Sequence, residues 1–143
     1  MSDLGGLEQE EVIEEKQTDN AASKDKKLPW HVWHVGESEY KLKLTTANIL
    51  KLENKYRCNV TALVTEADVP PLSIMLTIIN AAMLPYHHGI SYQDTQKIYD
   101  KWLEEGGNQQ ELYRSVILPI MSVSGFFTEK QKESILQMMA DEV

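Results

Sequence analysis

Between Leu72 and Phe127 the chain is punctuated for three consecutive helices, and that punctuation leaves little freedom for another fold. Leu72 to Leu84 is almost wholly apolar. Ser91, with Asp94 three residues on, opens a helix that runs to Glu105 and stops at Gly106-Gly107. Asn108, with Glu111 three residues on, opens the next, and Ser124-Gly125-Phe126-Phe127 closes it. Each opening pairs a short polar side chain, which satisfies free helix N–H groups, with an acid that answers it. Pro70-Pro71 sets the start of the apolar helix and Pro85 helps to end it. Such a segment is spent on packing and helix ends, the profile of a binding protein.

The flanks add three more elements. Trp30–Val35, a Gly36-Glu37-Ser38 loop and Glu39–Leu44 read as a β-hairpin. In its second arm Tyr40, Leu42 and Leu44 alternate with Glu39, Lys41 and Lys43, giving one buried and one wet face. In the first arm Trp30, Val32 and His34 compete with His31, Trp33 and Val35 for the inner face. Thr45 or Thr46 then caps a helix to about Tyr56, with Ile49, Leu52 and Tyr56 inward and Leu50 widening the stripe. Asn59–Val69 is a connector with a short turn around Ala62-Leu63-Val64. A last amphipathic helix starts at Thr128, with Gln131 at the capping-box position, and carries Ile135, Leu136, Met138 and Met139.

Within the central helices, Tyr92, Thr95, Ile98, Tyr99 and Trp102 form one inner stripe. Leu112, Val116, Ile120 and Val123 form the next. Pro119 lies inside that last helix, where it removes a hydrogen bond and should kink the chain, at roughly 3 kcal/mol if nothing compensates. The expected architecture is mainly α: about five helices in one small domain, residues 28–143, with an N-terminal β-hairpin. Residues 1–27, rich in Glu, Lys and Gln, carry half of the net charge of −8. They are expected to form a disordered acidic tail, because they have too little apolar surface to offset ordering entropy.

Charge and composition narrow the function. An acidic chain with scattered lysines does not suit nucleic acid, whose binders cluster Lys and Arg. The stretch free of Asp, Glu, Lys and Arg, Val69–Gln93, is broken by prolines, Asn80 and His87-His88. It falls short of the ~20 apolar residues that a bilayer crossing needs, so no membrane partner is expected. The N-terminus lacks the basic start of a signal peptide. A single cysteine, Cys58, forms no internal disulfide and fits a reducing compartment.

Catalysis finds no foothold. His31 and His34 differ by an odd number along a strand and point to opposite faces, and adjacent His87 and His88 diverge. With one Cys and no ligand spacing, neither a metal nor another cofactor is expected. The acid pairs Glu104-Glu105 and Asp141-Glu142 sit at wet helix ends, unsuited to acid–base work. Gly106-Gly107 lacks the Lys-Ser/Thr of a phosphate loop and reads as a helix stop. The expectation is a non-enzyme. Candidate protein-contact residues are Trp30 and Trp33, of opposite parity in the hairpin, Phe126 and Phe127, and the adaptable pair Met138 and Met139. For each, core packing is the ordinary alternative.

Five blocks carry a family likeness. They are Tyr40–Tyr56 (YKLKLTTANILKLENKY), Ser73–Met83 (SIMLTIINAAM), His87-His88-Gly89-Ile90, Glu104-Glu105-Gly106-Gly107 and Ser124-Gly125-Phe126-Phe127. In order and spacing, residues 40–127 resemble the tail assembly chaperones of long-tailed phages and prophages of Gram-positive bacteria. The chain departs from that pattern at Arg57, where a helix-ending glycine is expected. The resemblance implies a factor of virion morphogenesis in the host bacterial cytoplasm. Such a factor binds the tape measure protein and tail tube subunits, and it is absent from the mature virion. Many such chaperones are made in two lengths by a programmed ribosomal frameshift, and this chain would be the shorter form. Coating a long tape measure calls for many copies, hence a homo-oligomer in a ring or spiral. The competing expectation is a small bacterial regulatory or toxin-neutralising adaptor whose acidic tail folds on its partner.

Overall fold

A computed structural model describes residues 29–66 and 68–141, with side chains through Gln137. The expected acidic tail, and the side chains of Met138 and Met139, lie outside the described residues. The body is mainly helical with one N-terminal hairpin. Strands β1 (His31–Val35) and β2 (Ser38–Leu42) pair antiparallel, with Trp33 opposite Tyr40 and Val35 opposite Ser38. The turn therefore has two residues, Gly36 and Glu37. Gly36 supplies the left-handed φ of +61° that such a turn requires.

Six helices follow. α1 (Thr46–Tyr56) is capped by the Thr45 hydroxyl, which accepts from Asn48 N–H. α2 (Val60–Thr65) is a short helix capped by Asn59, in the connector where only a turn was expected. α3 (Leu72–Met83) follows Pro71. α4 (Tyr92–Glu104) starts in a complete Ser91–Asp94 capping box. α5 spans residues 109–123 as three joined stretches, Gln109–Leu112, a π-helical Tyr113–Ile117, and Leu118–Val123. α6 (Glu129–Asp141) opens in a second complete capping box, Thr128 with Gln131.

α3 is the axis of the domain. Met75, Leu76, Ile78, Ile79, Ala82 and Met83 are all buried, which leaves it little wet surface. It touches β2, α1, α4 and the π stretch of α5, so its near-continuous apolar sequence is what an enclosed helix needs. Each fully buried Ile or Met stabilises the fold by roughly 1.5–3 kcal/mol. The inner face of the hairpin, Trp33, Val35, Leu42 and Leu44, joins the same core.

The π turn explains how Pro119 sits inside a helix. Leu118 N–H bonds the Tyr113 carbonyl, one residue wider than the α pattern, so the extra residue is absorbed before the proline ring. α5 stays helical through Leu118-Pro119. The inserted residue also rotates the inner stripe. Leu112 and Val116 are buried before the shift, and Ile117, Ile120 and Met121 after it, a broader face than a 3.6-residue period predicts. Val123 is only half-buried.

Two stripe assignments are corrected. Leu50 is 60% exposed and does not widen the inner face of α1. Tyr92 is also exposed, because it occupies the first position of α4, before the helix meets α3.

Candidate functional site

The hairpin presents two unlike edges. A two-residue turn makes Val35 and Ser38 a hydrogen-bonded pair, and the alternation of an antiparallel ladder then points Lys41 and Lys43 N–H away from β1. Both are satisfied from the helical body. Lys41 N–H donates to His87 Nε2 at 3.1 Å, and Lys43 N–H donates to the Ala82 carbonyl at 3.1 Å. Leu44 N–H, the next residue on, donates to Ser124 Oγ at 2.9 Å. The edge of β2 is thus sewn to the end of α3 and the end of α5. The opposite edge, β1, carries the outward backbone groups of Val32 and His34.

The aromatic residues divide between surface and core. Trp33 is 3% exposed and packs edge-on to Trp102 at 5.9 Å, with Tyr40 at 6.4 Å. Its indole N–H has no acceptor among the described residues. Trp30 is half-buried in a second cluster, edge-on to Tyr86 at 5.6 Å, with Lys41 Nζ 4.4 Å above its ring. The two tryptophans therefore do not form one patch. Phe126 and Phe127 are half-buried against the core. They follow the α5 stop, where Gly125 takes φ +90° and Phe126 N–H bonds the Met121 carbonyl.

α6 differs from the other helices. None of its described residues is fully buried, Ile135 is half-buried, and Leu136 is 61% exposed. An open groove of about 620 Å³ lies on α3 and α4, lined by Leu72, Leu76, Tyr99 and Leu103 and, about equally, by polar side chains that include Gln93, Lys97 and Asp100. Sequence periodicity misses this groove, since Leu103 falls outside the inner stripe of α4 and reads as a lone apolar residue on a wet face.

The histidines have separate tasks. His31 faces inward, beside the Ser115 backbone; His34 is exposed and lies 3.4 Å from Glu39 Oε2. Burial holds the His31 pKa below its ordinary value, His34 adds to the lowering, and the Ser115 carbonyl opposes it. His87 is also lowered, by burial first and by the Lys41 charge second. Backbone and side-chain hydrogen bonds from Ser91 lower Asp94, as expected for a capping carboxylate. Among the described residues no three His, Cys, Asp or Glu side chains are grouped to hold a metal ion. No described helix is long and apolar enough to cross a membrane.

No curated protein and no solved structure matches the chain. One family model does match, over residues 26–143, which takes in the hairpin and every described helix. The chain belongs to that family, DUF6096, a family of unknown function.

Proposed function

We propose that this chain is a phage tail assembly chaperone. It binds the tape measure protein and tail tube subunits in the host bacterial cytoplasm and leaves before the virion is complete. One observation carries the reading. The five sequence blocks that resemble such chaperones coincide with consecutive working parts of one core: β2 with α1, the α3 axis, the loop whose His87 bonds β2, the stop of α4 and the stop of α5. Exposed apolar side chains among the described residues, such as Leu136 on α6 and Leu103 beside the α3–α4 groove, are suited to binding helices with an apolar stripe. A tape measure protein presents such stripes along its length, so many copies are needed side by side.

The test is co-expression with the tape measure protein encoded beside this gene. The expected outcome is a soluble complex that contains several copies of this chain, together with its absence from purified mature tails by mass spectrometry. A tape measure protein that purifies without it, or stoichiometric amounts of it in finished tails, overturns the proposal.

A further inference from the structure

We infer that the acidic segment of residues 8–15 docks as a strap on the outer face of its own hairpin, over Trp30, Lys41 and Lys43. The face supplies the first half of the argument. Side-chain alternation puts Val32 and His34 of β1, with Glu39 and Lys41 of β2, on the side away from the core. Trp30 and Lys43 continue that side just beyond the strand ends. His34 and Glu39 pair at the turn end of the face. At the other end Lys41 Nζ lies 4.4 Å above the half-buried Trp30 ring, whose edge meets Tyr86. That end therefore offers an indole and two ammonium groups.

Charge and tether decide what the face attracts. Residues 29–58, the hairpin and α1, carry five Lys or Arg against three Glu, whereas residues 59–143 carry five against eleven Asp or Glu. The hairpin side is thus the basic part of an acidic chain, and it draws an acidic segment that the helical body repels. Residues 8–15 hold five Glu and no Lys, and their Val12 and Ile13 offer apolar cover for Trp30 and Val32. The chain enters the described fold at Pro29, next to Trp30. Lys24, Lys26 and Lys27 lie in sequence just before that entry and extend its positive charge. Thirteen residues, 16–28, join the acidic segment to it, and a coil of that length spans about 20 Å. Such a tether holds the glutamates near the two lysines at an effective concentration in the millimolar range, so even a weak contact is populated. A partner that binds the hairpin at Trp30 must first displace the strap.

This inference does not rest on the chaperone reading, and it is tested on the full chain alone. A nitroxide on Gln9→Cys, in a Cys58→Ser background, broadens backbone amide resonances close to it. Broadening is expected at Val32, Lys41 and Lys43, and not at Gln96 or Leu103 on the α3–α4 face. A tail with Glu8, Glu10, Glu11, Glu14 and Glu15 replaced by Gln gives the level that tethering alone produces. The native tail should exceed that level at least about twofold. The excess should vanish in about 0.5 M salt. It should also vanish in a Lys41→Gln, Lys43→Gln chain, whose amide spectrum reports its folding. A mixture of nitroxide-bearing chains with isotope-labelled chains lacking the nitroxide should show no excess. Equal broadening with native and Gln-substituted tails, an excess that survives salt, or an excess in the mixture, where the tail reaches a second chain, overturns the inference.

Discussion

His31, at the start of β1, is half-buried with its imidazole beside the Ser115 backbone of α5, which raises its pKa against the lowering by burial. Ser115 lies within the π stretch, four residues before Pro119, and Pro119 has no N–H to give to any carbonyl of that turn. The proline removes one donor from a turn that widens before it, and the hairpin packs a histidine on the same turn. A local defect in α5 becomes a tie between two elements far apart in sequence.

That tie is measurable as a coupling. His31→Leu should destabilise the chain by about 1–3 kcal/mol, the cost of an unsatisfied partly buried carbonyl. In a Pro119→Ala background the turn regains an N–H and can return to the α register, which offers Ser115 a donor from within the helix, so the same substitution should cost clearly less. Urea melts of the four species give the interaction term. A coupling near zero means that the histidine acts by packing alone.

Arg57 is the one non-glycine residue with positive φ among the described residues, at φ +61° and ψ +32°, and it ends α1 with its N–H on the Glu53 carbonyl. A side chain in this conformation costs roughly 1–2 kcal/mol, part of which a glycine gives back through its freer unfolded chain. Arg57→Gly is expected to raise stability by about 0.5–1 kcal/mol, and Arg57→Ala to give no such gain. Equal effects of the two would show that the arginine side chain, and not the backbone, sets the stability here.

Local features of this fold were legible in the sequence, and long-range ones were not. Thr45, Ser91 and Thr128 announce helix starts because a cap and its partner lie three residues apart. Tyr40, Leu42 and Leu44 announce a half-buried strand because side-chain direction has a period of two. The six-residue α2 escaped because it is too short to show a period. The π turn escaped because it breaks the period on which the reading depends. Periodicity is silent on which elements meet, so neither His87 under Lys41 nor Lys101 over Gly36 could be foreseen. The groove was hidden for the same reason, since residues of α3 and α4 line it together.

Gly107 is small because of Trp102. A methyl group built there would lie 2.4 Å from the Trp102 ring, which is itself held against Trp33 and Tyr99. The ring has no easy way to yield, so Gly107→Ala should destabilise by about 1–3 kcal/mol and alter the tryptophan fluorescence. Trp102→Leu should remove most of that penalty in the double variant. A Gly107→Ala protein with native stability and spectrum would show that the ring has room to move.

The two hairpin tryptophans should separate cleanly by substitution. Trp33 sits in the core, so Trp33→Ala should cost about 3–5 kcal/mol. Trp30 contributes an edge contact with Tyr86 and a cation–π contact with Lys41 at a partly exposed site, so Trp30→Ala should cost no more than about 1–2 kcal/mol. Thermal melts of the single variants decide this, and only Trp30→Ala is then a fair probe of partner binding at the hairpin. Similar losses for both would mean that Trp30 is as much a core residue as Trp33.

Histidines give the fold a pH dependence whose sign follows from their partners. His87 accepts Lys41 N–H through Nε2, so a proton on that nitrogen removes the acceptor and sets a second cation beside Lys41. Its pKa is held below the ordinary 6.5 by burial and then by Lys41, and burial lowers His31 from the same value. As pH falls through 6.5 the unfolded chain takes up protons before the folded chain does, so stability is complete above that pH and declines below it. Asp94 acts with the same sign but below its ordinary 3.8, outside this window. Urea midpoints should therefore fall between about pH 7.5 and 5.5. His87→Gln keeps an acceptor for Lys41 without titrating and should flatten part of the slope. Adding His31→Gln should flatten most of the remainder. A slope unchanged in the double variant would assign the pH dependence to other groups and sink this account of His87.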